Sequence, residues 1–469
     1  MAIQRQHGTV QPGLRWGPFT ARIPLWHTRM EWPDFFQGLV VTASTAMALV
    51  PLLTTAFGLS FEEAIACAMI HLLLVAMAPI LFGDPFAPGY ITPVLPITIA
   101  FVLGSYDDPS ERFSAMTAIS LNFAALVLFF GITGLGQRFV SWLPLALKGG
   151  IILGASIASF KRVFFDDMQT FMAQPVATSV AIIVCLIFAF SQPFASFKKK
   201  HKLWAKLSSL GLLPGFVCAA IVGAALGEIE FNISWGVLVP PAGDLWDKVS
   251  PFAIGWPSLD MFLAGIPVAL IGYLLVFGDL VTGTEVIKDA AKSRPDETVD
   301  IDIPRVHYTL GIRNILMAIF APFFPTQGVL FTGMHVVLVQ RWRQGRAAMD
   351  SLFSGISSFY LLGLPVIFFA LPIITLLQPM MSIALSISLV MTGFACAFVA
   401  MAVPETPTER GVALMTGIAL TLLDPWVGLL VGVGATVVLV GIDKIDHDAH
   451  EPPEPEDIDQ ASKHDGSAI

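Results

Sequence analysis

One feature constrains this chain more than any other: apolar runs of about 17 to 25 residues, the length a tilted helix needs to cross a bilayer's hydrocarbon core. They fall near residues 35–57, 61–81, 84–105, 114–135, 139–160, 176–196, 209–227, 259–283, 307–324, 326–341, 350–376, 379–402, 408–423 and 425–442. Backbone immersed in lipid must satisfy its own hydrogen bonds, and a helix does so within one segment. The expected fold is an all-α polytopic membrane protein with 14 transmembrane segments. Composition agrees: 55% of the 469 residues are hydrophobic and 13% charged. No soluble fold hides so much apolar surface behind so few charges.

Basic residues orient the spans. With the N-terminus in the cytoplasm, 21 of the 26 Lys and Arg fall inside, Arg313 among them. Arg112, Lys161, Arg162 and Lys248 fall outside, and Lys148 lies within a span. That is the positive-inside pattern. It predicts cytoplasmic termini and an integral protein of a bacterial inner membrane. The chain divides into an interfacial N-terminal segment (1–33), a first set of seven spans (34–228), an external connection (229–257), a second set of seven (258–442) and an acidic tail (443–469). Residues 15–33, "RWGPFTARIPLWHTRMEWP", mix arginines with aromatics as interfacial segments do. The start lacks the apolar centre of a signal peptide. The formal charge of −9 gathers in the tail and external loops and gives no reason to expect a nucleic acid. Cys67, Cys185, Cys218 and Cys396 sit in apolar runs, as buried hydrophobes do, without disulfide or zinc spacing.

Seven spans per half is an odd number, so the second half enters the membrane upside down relative to the first. The third span of each half is irregular. One reads "FGDPFAPGYITPVLP" (82–96) and the other "FFPTQGVLFTG" (323–333), with Gly89 and Gly328 at matching places. Extended backbone at membrane depth is tolerated only inside protein or beside a polar cavity. The expectation is two inverted repeats whose extended stretches pass one another near the midplane, each followed by a half-helix. Helix starts near Pro93 and Thr332 would aim free N–H groups and positive dipole ends into one space. Pro93 suits a first helical position. Two plain proline kinks in ordinary helices are the alternative.

These stretches, the seven-plus-seven layout and an acid in span eight resemble the superfamily of uracil/xanthine permeases, sulfate permeases and bicarbonate transporters, over roughly residues 34 to 442. The resemblance implies a core domain (spans 1–4 and 8–11) moving against a gate domain (spans 5–7 and 12–14). It places substrate between the half-helices and spans one and eight, and implies a homodimer through the gate. Departures are visible. The nucleobase branch usually carries a Gln-His pair in span one, where this chain reads "LVVTASTAMALVPLL". It also has Asn-rich or Gly-Glu-Asn patterns in span ten, here replaced by Pro325, Thr326, Gln327 and Gly328. "FFPTQG" echoes the Phe-Pro-x-x-Gly of the sulfate branch, but residues 443–469 are too short and acidic to be that branch's folded regulatory domain. The large N-terminal domain of animal bicarbonate transporters is not seen either.

Few residues can carry chemistry. Asp279, in "LLVFGDLVTGTEV", is the acid deepest in an apolar run and must be protonated, paired or bound to a cation. It matches the family's span-eight acid approximately, and Thr282, nearby on the same helix, adds an oxygen suited to Na⁺. Holding a broken helix is the structural alternative for Asp279. Gln327 offers a donor and an acceptor, to a nucleobase edge or carboxylate, or equally to loose backbone in its own stretch. Thr92 and Thr332 flank the helix starts as ligands or N-caps. Lys148 either faces the cavity and attracts an anion or snorkels to the inner interface. His71 and His335 read as helix-packing residues, and Asp84 as a solvated cap near the inner surface.

No phosphate-binding loop, metal cluster or nucleophile–base pair is present in the sequence, so neither an enzyme nor a nucleotide-driven pump is expected. The leading expectation is an ion-coupled symporter of a nucleobase-like solute, of uracil or xanthine type, working by alternating access without a cofactor and coupled to H⁺ or Na⁺. The alternative is a transporter of a small anion such as sulfate, bicarbonate or a carboxylate. An arginine in the span-ten helix would favour anions, and none lies between Thr332 and Gln340. A passive channel is a third reading.

Overall fold

Prolines enter many of the helices in their first turn, where a missing N–H costs nothing. The computed structural model describes residues 3, 5–44, 46–201, 204, 207, 212–363 and 368–441. It opens on an antiparallel hairpin, β1 (Leu14–Trp16) and β2 (Phe19–Ala21), which pairs Leu14 with Ala21 and Trp16 with Phe19. Apart from this hairpin the ordered elements among the described residues are helical, in line with the expected all-α class. The first half continues through α1 (Trp32–Ser44), α2 (Val50–Thr55), α3 (Phe61–Met77), α4 (Leu95–Ser105), α5 (Pro109–Thr133), α6 (Gly136–Trp142), α7 (Leu145–Lys161), α8 (Pro175–Phe190), α9 (Gln192–Lys200) and α10 (Leu213–Leu226). The external connection is not plain loop, since it holds α11 (Ala242–Val249). The second half comprises α12 (Leu259–Ala291), α13 (Ile303–Phe320), α14 (Thr332–Arg343), α15 (Leu352–Ser357), α16 (Met381–Ala402), α17 (Pro407–Leu422) and α18 (Pro425–Ala435).

Four stretches among the described residues are long and apolar enough to cross a membrane whole: Phe61–Phe82, Pro109–Thr133, Leu259–Ala291 and Leu371–Ala402. Shorter apolar helices cover Thr92–Ser105, Pro175–Phe190, Leu213–Leu226 and Pro425–Val440. The protein is an integral membrane protein. Several expected spans are broken instead of continuous. The first is split into α1, a 3-10 turn (Ala46–Leu49) and α2, with Pro51 in the first turn of α2. The fifth is cut at Leu143 and Pro144 into α6 and α7. The eighth is longer than expected, and α12 runs on to Ala291. Residues 209–211 and 364–367, within the expected seventh and eleventh spans, and the tail from 442 lie outside the described residues.

The helices pack in two sets. In one, α5 lies against α12 and α13, α13 touches α3, α12 touches α14, and α1 packs on Ser358–Gly363. In the other, α7 lies against α16 and α17, α8 against α10 and α16, and α18 against α17. Between them, α4 touches α7 of the second set as well as α5 of the first, and α6 touches α5 and α12 of the first. The turn before α4 and the 3-10 turn before α2 both reach across to α16. The end of the first irregular stretch therefore lies where the two sets meet.

Candidate functional site

The two irregular stretches cross as a short antiparallel ladder. The N–H of Gly328 donates to the Gly89 carbonyl at 2.7 Å, and that of Phe331 to the Ala87 carbonyl at 2.7 Å. In return the N–H of Ile91 donates to the Pro325 carbonyl at 2.9 Å. Each stretch thus supplies the backbone partners that lipid would deny the other. Both glycines are needed for the approach. A Cβ on Gly89 would lie 2.6 Å from the Phe331 Cβ, and one on Gly328 would lie 2.7 Å from the Gly89 carbonyl oxygen.

Buried side chains lock this crossing from every side. His335 of α14 accepts the Ala87 N–H at Nδ1 (3.2 Å), so its Nε2 carries the proton that faces the Gly283 carbonyl of α12 at 3.3 Å. One neutral imidazole therefore joins both stretches to α12. His71 of α3 holds the Ala321 carbonyl at 2.8 Å, and Tyr360 donates to the Pro88 carbonyl. Both histidines thus pack between helices with backbone as their partner, His335 at the crossing and His71 just before it.

Gln327 is wholly buried. Its Oε1 accepts from Arg313 at 3.2 Å, its Nε2 donates to the His71 carbonyl at 3.2 Å, and Asn314 donates to its own carbonyl at 3.2 Å. The amide thus ties the stretch to α3 and α13 and not to loose backbone of its own stretch. Arg313 was counted among cytoplasmic basic residues, and that was wrong. It is 1% exposed in the middle of α13 and also donates to the Gly328 carbonyl at 2.8 Å. The signal was available, because Arg313 falls inside the apolar run 307–324, where a charge marks a site. Asp84 is likewise no solvated cap. It is 3% exposed, with Oδ1 3.6 Å from the Arg305 guanidinium.

The helix starts beside the crossing are open. The N-cap of α14 is Phe331, and those of the Thr92–Val94 turn and α4 are Ile91 and Val94; none makes a side-chain cap. Thr92 and Thr332 are first helical residues, so neither is an N-cap. Apolar caps leave first-turn N–H groups without side-chain acceptors, the arrangement that binds anions. Thr332 is exposed, Thr92 and Pro93 are half-buried, and a Cβ on Gly333 would meet nothing within 4 Å. Asp279 is half-buried, about one turn of α12 from Gly283, where a Cβ would lie 2.9 Å from Phe86 and Leu330 of the two stretches. Thr282 is exposed and donates to the Gly278 carbonyl at 2.9 Å. Lys148 lies elsewhere, half-buried in the first turn of α7, because the break at Pro144 moves it from a span interior to a helix start.

Two crossed extended stretches, each running into an uncapped helix start, define the site's architecture within this helical membrane protein. No family model and no curated protein matches the sequence. Among solved structures, the transmembrane domain of a cyanobacterium bicarbonate transporter, BicA, is similar, with a TM-score of 0.52 and 17% identity over 86% of this chain and 97% of that one. The murine anion transporter Slc26a9, in its inward-facing state, has a TM-score of 0.49 and 14% identity over 88% of this chain and 68% of that one. The likeness to the BicA domain is one of fold.

Proposed function

We propose that this chain is a secondary active transporter that carries a small anion by alternating access, in symport with a proton or Na⁺. The observation that carries this is the pair of uncapped helix starts at the crossing, with the buried Arg313 guanidinium directly behind Gly328. Converging N–H groups, helix dipoles and a fixed cation favour negative charge in one place. A bicarbonate-transporting protein of similar fold supports the same reading. Gly89, Thr92, Pro93, Gly328 and Thr332 shape the substrate space, and Asp279 with Thr282 takes the coupling ion. The nucleobase reading loses one of its supports, since the Gln327 amide is engaged by Arg313 and the His71 carbonyl. Calorimetric titration of the purified protein with bicarbonate, sulfate, uracil and xanthine tests the choice. Heat of binding with an anion alone supports it, and saturable binding of a nucleobase with none for either anion refutes it.

A further inference from the structure

The N-terminal hairpin has two unlike faces. Leu14 and Trp16 are 56% and 45% exposed, and Trp16 rests on Phe82 while its Nε1 donates to the Leu81 carbonyl at 2.8 Å. Leu81 and Leu73 are exposed on the apolar Phe61–Phe82 stretch, so this face continues the lipid-facing side of a membrane helix. Leu25, Trp26 and Trp32 are exposed in the same segment, the aromatic composition of a membrane interface.

The opposite face, where Arg15 pairs across the hairpin with Thr20, opens on a cleft of about 590 Å³. Gln11, Arg15, Thr20, Arg22, Thr298 and Asp300 line it. Arg15 is exposed and makes no ion pair or hydrogen bond to a described residue. Arg22 is buried; its Nε donates to the Gln11 carbonyl at 3.0 Å and its Nη1 to the Gly83 carbonyl at 3.5 Å, its guanidinium lies 3.8 Å over the Phe353 ring, and Nη2 is left for an anion. The one carboxylate in the lining, Asp300, is held by Arg305 at 2.8 Å. Gln11 is 2% exposed, and its Nε2 donates to the His27 carbonyl, which leaves Oε1 buried without a donor.

Two guanidiniums want an anion, the Gln11 oxygen wants a hydroxyl, and the hairpin sits at the level of lipid. We propose that this cleft binds the headgroup of an anionic phospholipid bearing free hydroxyls, of the phosphatidylglycerol kind. The phosphate sits between Arg15 and Arg22, and a headgroup hydroxyl donates to Gln11. Clefts of this size suit such a group.

Native mass spectrometry of the full-length protein, in a neutral detergent with equal amounts of phosphatidylglycerol and phosphatidylcholine, reads the occupancy. The wild type retains phosphatidylglycerol preferentially. Arg15→Gln, at a side chain without an ion pair or hydrogen bond to a described residue, lowers that retention about fivefold, the worth of one arginine beside an anionic lipid, and Arg15→Lys keeps most of it. Free glycerol 3-phosphate does not displace the lipid. Equal retention of the two lipids, unchanged retention in Arg15→Gln, or displacement by free glycerol 3-phosphate overturns the proposal.

Discussion

Gly89 and Gly328 stand back to back where two stretches of the chain meet at bonding distance, and the backbone itself fills the space a side chain would take. Gly89→Ala or Gly328→Ala must part the stretches, at about 1–3 kcal/mol of overpacking. Each substitution should lower the melting temperature and cut transport, whereas Gly333→Ala, which meets open space, should leave the melting temperature unchanged. Equal melting temperatures for all three would contradict the tight crossing. Arg313 makes a second residue-scale case. Arg313→Met leaves the Gln327 oxygen and the Gly328 carbonyl without their donor, and bonds from a charged donor are worth about 1.5–3 kcal/mol each. Denaturation of Arg313→Met and Gln327→Met, singly and together, should show strong non-additivity; additive losses would mean the pair is not coupled. The glycines were legible in sequence, because only glycine permits such an approach. The use of Gln327 was not, because its partner comes from another helix through an arginine that looked cytoplasmic.

At the scale of elements, periodicity and length located the apolar helices, yet Pro51 and Pro144 broke spans that composition alone ran together. The N-terminal segment shows the same limit. Its interfacial residues were readable, but its fixation was not, since the partners lie hundreds of residues away. Arg5 donates to Asp296 at 2.9 Å, Arg294 donates to both Asp296 oxygens at 2.7 and 3.0 Å, and the Glu31 carboxylate accepts the Asp350 N–H at 3.1 Å. Hydrogen bonds from Arg294 and then Arg5 hold the Asp296 carboxyl well below its ordinary value of 3.8. A depressed acid stabilises the fold above its unfolded value, and that contribution goes as pH falls through the lower folded value. Amide exchange of residues 5–31 should therefore stay slow as pH drops to the ordinary carboxylate range and quicken only in stronger acid. In Asp296→Asn this acid step should vanish. Quickening in the wild type already above the ordinary range would contradict the role given to Asp296.

For the whole molecule, the Thr92–Val94 turn beside the crossing touches α7 and α16 of the second set as well as α12 of the first. A solute held there is exposed to one side or the other as the sets shift, which is how a carrier differs from an open pore. Asp279 carries the coupling in this account. Asp279→Asn should abolish concentrative uptake, by roughly tenfold or more, while counterflow of labelled against unlabelled anion persists. The irregular third and tenth segments disclosed this arrangement in outline from sequence, because prolines and glycines there make continuous helix untenable. The kind of solute was harder to read, since it depends on which polar groups stay free after folding. The most direct measurement is uptake of labelled bicarbonate and sulfate, beside uracil and xanthine, into liposomes holding the purified protein under an imposed Na⁺ or proton gradient. Accumulation of an anion that collapses with one of the gradients is the predicted result; nucleobase accumulation with no anion uptake, or uptake indifferent to both gradients, would contradict the account.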